Sequence, residues 1–303
     1  MTSATELLNK IEEPPSPTAA PGTDAPESAP KPRIIVEPSS GWRLVDLGEI
    51  WRYRELLYFL TWRDVKVRYK QTVLGAAWAV LQPLATMLVF SLFLGRVARD
   101  PGSTQPYPLF VLAGLIPWTF FANAISTAGL SVVGSQNLVT KVYFPRLIIP
   151  MGAVGAGVVD FLIAFVLLIP AMVWYGVAPN ASVAALPITA LGLAVAALGV
   201  GTLLSALTVA YRDFRHVLPF LTQFWMFATP AIYLQSQDVV GSRLARLLPL
   251  NPAQGLIDNF RRSLLGEPID AYSLTVSLTV GAALLLVGCL FFRRVERDFA
   301  DII

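Results

Sequence analysis

The sequence predicts an all-α membrane protein with six transmembrane helices, an N-terminal interfacial amphipathic helix, and a re-entrant external helix pair before the last span. Three observations lead there. Apolar runs recur that are long enough to cross a bilayer, for which a helix of about 20 residues suffices. Of the 303 residues 55% are hydrophobic and only 14% charged, with a mean hydropathy of +0.60. A soluble core of this size would leave its helices apolar on every side. Basic residues stand as collars beside the apolar runs, as where Arg68-Tyr69-Lys70-Gln71-Thr72 leads straight into Val73–Gly95.

Composition also excludes several kinds of chemistry. A net charge of +3, dispersed among apolar runs, does not suit a nucleic-acid partner. With one cysteine, Cys289, and one histidine, His216, neither a disulfide framework nor a metal centre is expected. None of the five lysines follows a glycine, so the phosphate-binding pattern Gly-x-x-x-x-Gly-Lys cannot be written. No catalytic residue is expected: no acid pair stands at a membrane face in a recognisable glycosyl-transfer motif.

Residues 1–40 carry prolines at 14, 15, 17, 21, 26, 30, 32 and 38 and too little apolar surface to offset chain entropy. They read as a disordered cytoplasmic tail, without the charged start and apolar core of a secretory signal. Residues 41–72 form the amphipathic segment. Tyr58, Trp62, Val65 and Tyr69 fall on one helical face and Arg63, Lys66 and Lys70 on another, a pattern that suits the membrane interface. A solvated helix packed on a partner is the alternative.

Residues 73–303 make the transmembrane domain, with spans expected at Val73–Gly95, Tyr107–Gly134, Leu147–Trp174, Val183–Ala210, Leu218–Leu234 and Tyr272–Phe292. Lysine and arginine bias orientation toward the cytoplasm. Arg63, Lys66, Arg68, Lys70, Lys141, Arg146, Arg212, Arg215, Arg293, Arg294 and Arg297 share one side, so both termini are expected in the cytoplasm. The fifth span is short and contains Pro230. The loop after it holds the expected helix pair, Val239–Leu248 and Pro252–Leu265. Asn251 suits an N-cap, Pro252 the first helical position and Gly266 the residue after the end. An ordinary loop helix without a gating role is the alternative. Asp160 is the one acid well inside a span. It reads either as a carboxylate satisfied at a helix contact or as the coupling group of an ion-driven carrier.

Four ordered motifs carry a family resemblance. Arg68-Tyr69-Lys70-Gln71-Thr72-Val73-Leu74-Gly75-Ala76-Ala77-Trp78 is followed by Leu81-Gln82-Pro83-Leu84. Then come Lys141-Val142-Tyr143-Phe144-Pro145-Arg146, Tyr211-Arg212-Asp213-Phe214 leading to Thr229-Pro230, and Leu250-Asn251-Pro252 leading to Phe260-Arg261. From about Trp42 onward the chain resembles the membrane subunits of type-2 ABC exporters, specifically those that export O-antigen, capsule and teichoic-acid polymers. The proline-rich tail lies outside the pattern.

The resemblance implies a homodimer in a bacterial inner membrane, joined to two copies of an ATP-binding subunit that holds ATP and Mg, and exporting a glycan on a polyprenyl carrier lipid. It implies no cofactor in this chain. It places a coupling helix at Ser135–Arg146, where Lys141, Tyr143, Phe144, Pro145 and Arg146 would meet the ATPase. Channel-lining candidates are Gln71, Gly75, Trp78, Gln82 and Thr86 on the first span and Phe220, Gln223, Phe224 and Phe227 on the fifth. Aromatic faces and amides suit sliding sugars, although such stripes also serve packing. Arg63, Lys66, Arg68 and Lys70 are candidates for a rim that attracts a lipid pyrophosphate, and ordinary headgroups would select the same residues. Asn251, Pro252, Phe260 and Arg261 are candidates for an external gate. Ala197, Gly201 and Ser205 suggest close helix contact on the fourth span. Export of a lipid or drug-like molecule is the alternative within transport.

Overall fold

The computed structural model describes residues 47–70, 75, 77–95, 105–229 and 246–296. Among these all regular structure is helical: α1 (Leu47–Arg52), α2 (Arg54–Tyr69), α3 (Ala77–Leu94), α4 (Tyr107–Gly134), α5 (Gln136–Lys141), α6 (Ile148–Val166), α7 (Leu168–Trp174), α8 (Leu186–Ala210), α9 (Phe214–Ala228), α10 (Pro252–Leu265) and α11 (Ala271–Glu296). Short 3-10 turns at Ala181–Ala185 and Leu248–Leu250 lead into α8 and α10.

Five of the predicted spans are present as helices long and apolar enough to cross a membrane: Ala77–Leu94, Tyr107–Gly134, Ile148–Trp174, Ala181–Ala210 and Ala271–Glu296. The remaining one, Leu218–Leu234, is described only as α9. Its 15 residues extend about 22 Å at 1.5 Å each, short of a hydrocarbon core of about 30 Å. Pro230, Leu234 and most of the predicted helix Val239–Leu248 lie outside the described residues.

The bundle is organised around α4, which packs on α3, α6, α8 and α10. Phe121, Ile125 and Leu112 on this helix are fully buried. α8 is held on two sides by small residues. A Cβ on Gly201 would stand 2.7 Å from the Ala128 Cβ of α4, and one on Gly199 would stand 2.4 Å from the Leu285 backbone N of α11. Ala197 and Ser205 are also buried. The expected close contact on the fourth span is therefore present, and a second, tighter one faces the last span. By contrast α3 clings to the bundle by one edge: Pro83 is its only buried residue, while Leu88, Leu92 and Phe93 are exposed.

The amphipathic helix α2 packs along α6. Gly152 and Gly155 open the groove: a Cβ at the first would lie 3.1 Å from the Leu60 Cβ, and at the second 3.0 Å from the Thr61 hydroxyl. The buried residues of α2 are Leu60 and Val65, while Trp51, Tyr58, Phe59 and Trp62 remain exposed. The packed face is thus rotated from the Tyr58/Trp62 stripe read in the sequence. Val65 and Tyr69 of that stripe face inward.

Candidate functional site: an ion-paired cleft beside two helix stripes

Contacts between α2 and α6 advance together along the two helices, from Leu60 at Gly152 and Thr61 at Gly155 to Arg68 and Tyr69 at Asp160. Arg68 Nη1 donates to Asp160 Oδ2 and the Tyr69 hydroxyl donates to Asp160 Oδ1. Side-chain exposures are 26% for Arg68 and 21% for Asp160. Asp160 is therefore a carboxylate held at a helix contact, and its charge is balanced by Arg68. Burial and the neighbouring carboxylate push the Tyr69 phenol well above its ordinary value, which keeps it a donor.

The trio borders a cleft of roughly 320 Å³ between α3, α4 and α6. Gly75, Trp78 and Gln82 line it from the first predicted stripe, and Asn123, Thr127 and Phe161 line it from α4 and α6. Gly75 adopts φ +48° with open space beside it, a left-handed turn in which a side chain is disfavoured, and its carbonyl accepts from the Trp78 N–H. Thr86 is half-buried and returns its hydroxyl to the Gln82 carbonyl. Gln71 lies outside the described residues. Sequence reasoning missed Asn123 and Thr127. An amide and a hydroxyl four residues apart in an apolar span are a legible signal for one polar face.

The second stripe projects from α9. Leu218 is fully buried, and Phe220, Phe224 and Phe227 are each more than 60% exposed. Gln223 is exposed with them, and the Phe220 and Phe224 rings stand 4.4 Å apart. Trp225 turns the other way and meets Phe121 edge-on at 5.2 Å. Because α3 packs on α4 and α6 whereas α9 packs on α4 and α8, α4 is the support the two stripes share.

The four rim cations do not face one way. Arg68 turns inward to Asp160, Arg63 pairs with Asp64 at 2.9 Å, and the Lys66 ammonium stands 5.4 Å over the Trp62 ring. Lys70 is exposed.

The segment after α5 divides its residues similarly. Tyr143 is 73% exposed and Phe144 only 5%. Phe144 packs in a cluster with Leu60, Val139, Ile148 and Phe292. Arg146 donates from Nη1 to the Glu296 carbonyl, and its backbone N–H donates to Glu296 Oε1 at 3.2 Å. Lys141 is exposed and Pro145 half-buried. Phe144 and Arg146 thus fasten the segment to the bundle and to the end of α11, leaving Lys141 and Tyr143 presented outward.

The predicted cap at α10 is present. Asn251 Oδ1 accepts from the Ala253 N–H at 3.2 Å, Pro252 follows it, and Gly266 ends the helix at φ +78°. Asn251 also accepts from Trp225 Nε1 at 2.8 Å and donates to the Thr229 hydroxyl at 2.9 Å. One side chain therefore caps α10 and ties it to the end of α9. Phe260 is buried against Phe161 and Phe165. The Arg261 guanidinium lies 3.9 Å from the Phe110 ring centre and donates to Asp258 at 3.1 Å. Burial lowers its pKa against the opposing pull of Asp258. Both residues are packed into the bundle. Asn251→Ala is expected to cost about 1–2 kcal/mol through the lost cap, read as a lower Tm in detergent. Asn251→Asp, which keeps the acceptor for Ala253 and Trp225, is expected to lose less.

The sequence pattern of the ABC-2 type transporter family matches residues 55–258. The chain is 29% identical over 254 residues to the O-antigen export system permease protein RfbA of Myxococcus xanthus, covering 84% of this chain and 97% of that protein. It is 26% identical over 250 residues to the protein of the same name from Klebsiella pneumoniae, covering 82% of this chain and 95% of that protein. The polysialic acid transport protein KpsM of Escherichia coli is 30% identical over 76 residues, which is 25% of this chain and 30% of that protein. With a family match over most of its length, on an all-helical bundle of membrane-crossing helices, the chain belongs to the ABC-2 type transporter membrane family.

Proposed function

We propose that two copies of this chain form the channel of an ATP-driven exporter that moves a carrier-lipid-linked, O-antigen-like polysaccharide outward across a bacterial inner membrane. The observation that carries this reading is the nearly end-to-end match to permeases named for O-antigen export, 97% of the Myxococcus protein's length. The exposed face of α9 supports it, because the Gln223 amide set among the rings of Phe220, Phe224 and Phe227 suits passing sugars or a second copy of the chain. In this reading the chain crosses the membrane six times, both termini lie in the cytoplasm, and α10 stands near the outer mouth. ATP and Mg are held by a separate subunit, present twice.

Deleting the gene in its own bacterium tests the reading. Surface polysaccharide is expected to vanish while carrier-linked glycan accumulates inside, and an ATP-binding subunit is expected to co-purify with the tagged chain. Normal surface glycan in the deletion strain would sink the proposal.

The ATPase contact has its own test. Tyr143→Ala removes an exposed ring, so export and ATPase recovery are expected to fall several-fold while Tm stays within a degree or so of wild type. Phe144→Ala empties a buried site and is expected to cost about 3 kcal/mol, seen as a lowered Tm whether or not the ATPase is present.

A further inference from the structure

We propose that the cleft between α3, α4 and α6 is a binding subsite for one uncharged sugar ring of the exported glycan, an inference that rests on the export reading above. Its charge points to a neutral ligand. Arg68 is bonded to Asp160, so the pair sums to zero. A diphosphate that reached the guanidinium would meet the Asp160 carboxylate beside it as a like charge. A sugar hydroxyl needs no such exchange. Each Asp160 oxygen accepts one bond from Arg68 or Tyr69, and a carboxylate has about four acceptor sites, leaving room for hydroxyl donors.

The remaining walls suit a ring with polar edges and apolar faces. Gln82 and Asn123 line the cleft, and both are exposed, so their amides are available to a ligand. Pro83 offers no N–H to the Ala79 carbonyl four residues earlier, and both residues are part of the same wall. That carbonyl is a further acceptor without its helical donor. Trp78, about half exposed, supplies an aromatic face at the opening, and sugar C–H faces pack well on indole. A prenyl or acyl chain would instead set the amides and the carboxylate against hydrocarbon, an arrangement that costs free energy for every polar group left unpaired. A cleft of roughly 320 Å³ is at the lower end of small-molecule sites, which run from about 300 to 1,000 Å³. It holds a single ring and not a folded oligomer.

The permease–ATPase complex in nanodiscs provides the test, read by saturation-transfer NMR because this method detects weak binding. The probes are short oligosaccharides cut from the producing bacterium's surface polysaccharide, with inorganic pyrophosphate and farnesol as competitors. Saturation of the sugar ring protons is expected with wild type and is expected to persist with either competitor present. The double variant Gln82→Ala/Asn123→Ala changes exposed side chains and is expected to keep its Tm. Its affinity is expected to drop about tenfold or more, since each neutral hydrogen bond contributes roughly fivefold. Unchanged binding in the double variant, no transfer with wild type, or displacement by pyrophosphate or farnesol would each overturn the subsite. Export is scored separately in deletion cells given back the wild-type chain. Restored surface glycan with any of those three results removes the subsite alone, whereas glycan that reaches the surface without the chain removes the export reading itself.

Discussion

Asp160→Ala is expected to destabilise the protein by about 2–4 kcal/mol and to abolish export, while the double variant Arg68→Leu/Asp160→Leu is expected to recover much of the stability. The single change leaves the Arg68 guanidinium and the Tyr69 hydroxyl without the acceptor they share. Removing one partner of a buried pair typically costs about 3–5 kcal/mol, and exposures of 26% and 21% place this pair slightly below full burial. Removing both charges trades the pair for apolar contact, which is often neutral or favourable. Thermal unfolding of Arg68→Leu, Asp160→Leu and the double variant in one detergent closes the cycle and isolates the coupling between the side chains. The same set decides what Asp160 is for. A structural tie predicts that the double variant, refolded into place, regains part of its export activity. An ion-coupling carboxylate predicts none, whatever the stability. Loss of stability no larger for Asp160→Ala than for an exposed-site control would mean that the contact with α2 is not what holds this end of α6.

Different parts of this architecture were legible in the sequence for different physical reasons. Spans are read from local composition, so Tyr107–Gly134 agrees at both ends and most others agree within a few residues. Caps are equally local: Asn251, Pro252 and Gly266 act within one turn of the ends they fix. The partner of Asp160 was not legible, because Arg68 stands 92 positions away and no short-range pattern links them. Which face of α2 packs inward is not legible for a related reason. Aromatic rings dominate its periodicity, whereas the groove on α6 is cut by Gly152 and Gly155, which receive Leu60 and Thr61. Of the first stripe, Gly75, Trp78 and Gln82 line a cleft within the protomer, which only the fold shows. Glu296 gave no signal as the acceptor for Arg146, since an acid at the end of an apolar run looks like any solvated terminus.

Gly199→Ala is expected to destabilise the bundle by about 3 kcal/mol or more, despite adding one methyl group to a helix. At this position the new Cβ would sit 2.4 Å from the Leu285 N and 2.7 Å from the Leu284 carbonyl carbon. Those are backbone atoms of α11, which cannot swing aside as a side chain can. Gly288 repeats the contact from the other helix, its Cβ position lying 2.4 Å from the Gly199 carbonyl oxygen. Without a hydrophobic drive between helices in lipid, association depends on such close packing, and overpacking forces the helices apart. The consequence reaches α10, because a Cβ on Gly255 would stand 2.8 Å from the Ser273 carbonyl oxygen of α11. Asn259 accepts from the Asp270 N–H at 2.9 Å, and the Ser277 hydroxyl donates to the Pro249 carbonyl at 2.9 Å. α8 and α10 are thereby each packed closely on α11, and Asn251 adds the end of α9. Any opening near α10 is then expected to move these helices as one body. Gly134→Ala is the matched control. Nothing stands within 4 Å of its Cβ position, so it is expected to change stability by less than about 1 kcal/mol. Equal Tm values for Gly134→Ala and Gly199→Ala would show that α8 and α11 are free to separate. A Tm loss at Gly199→Ala and Gly255→Ala but not at Gly134→Ala would show that the close approach of α8 and α10 to α11 holds this part of the bundle together.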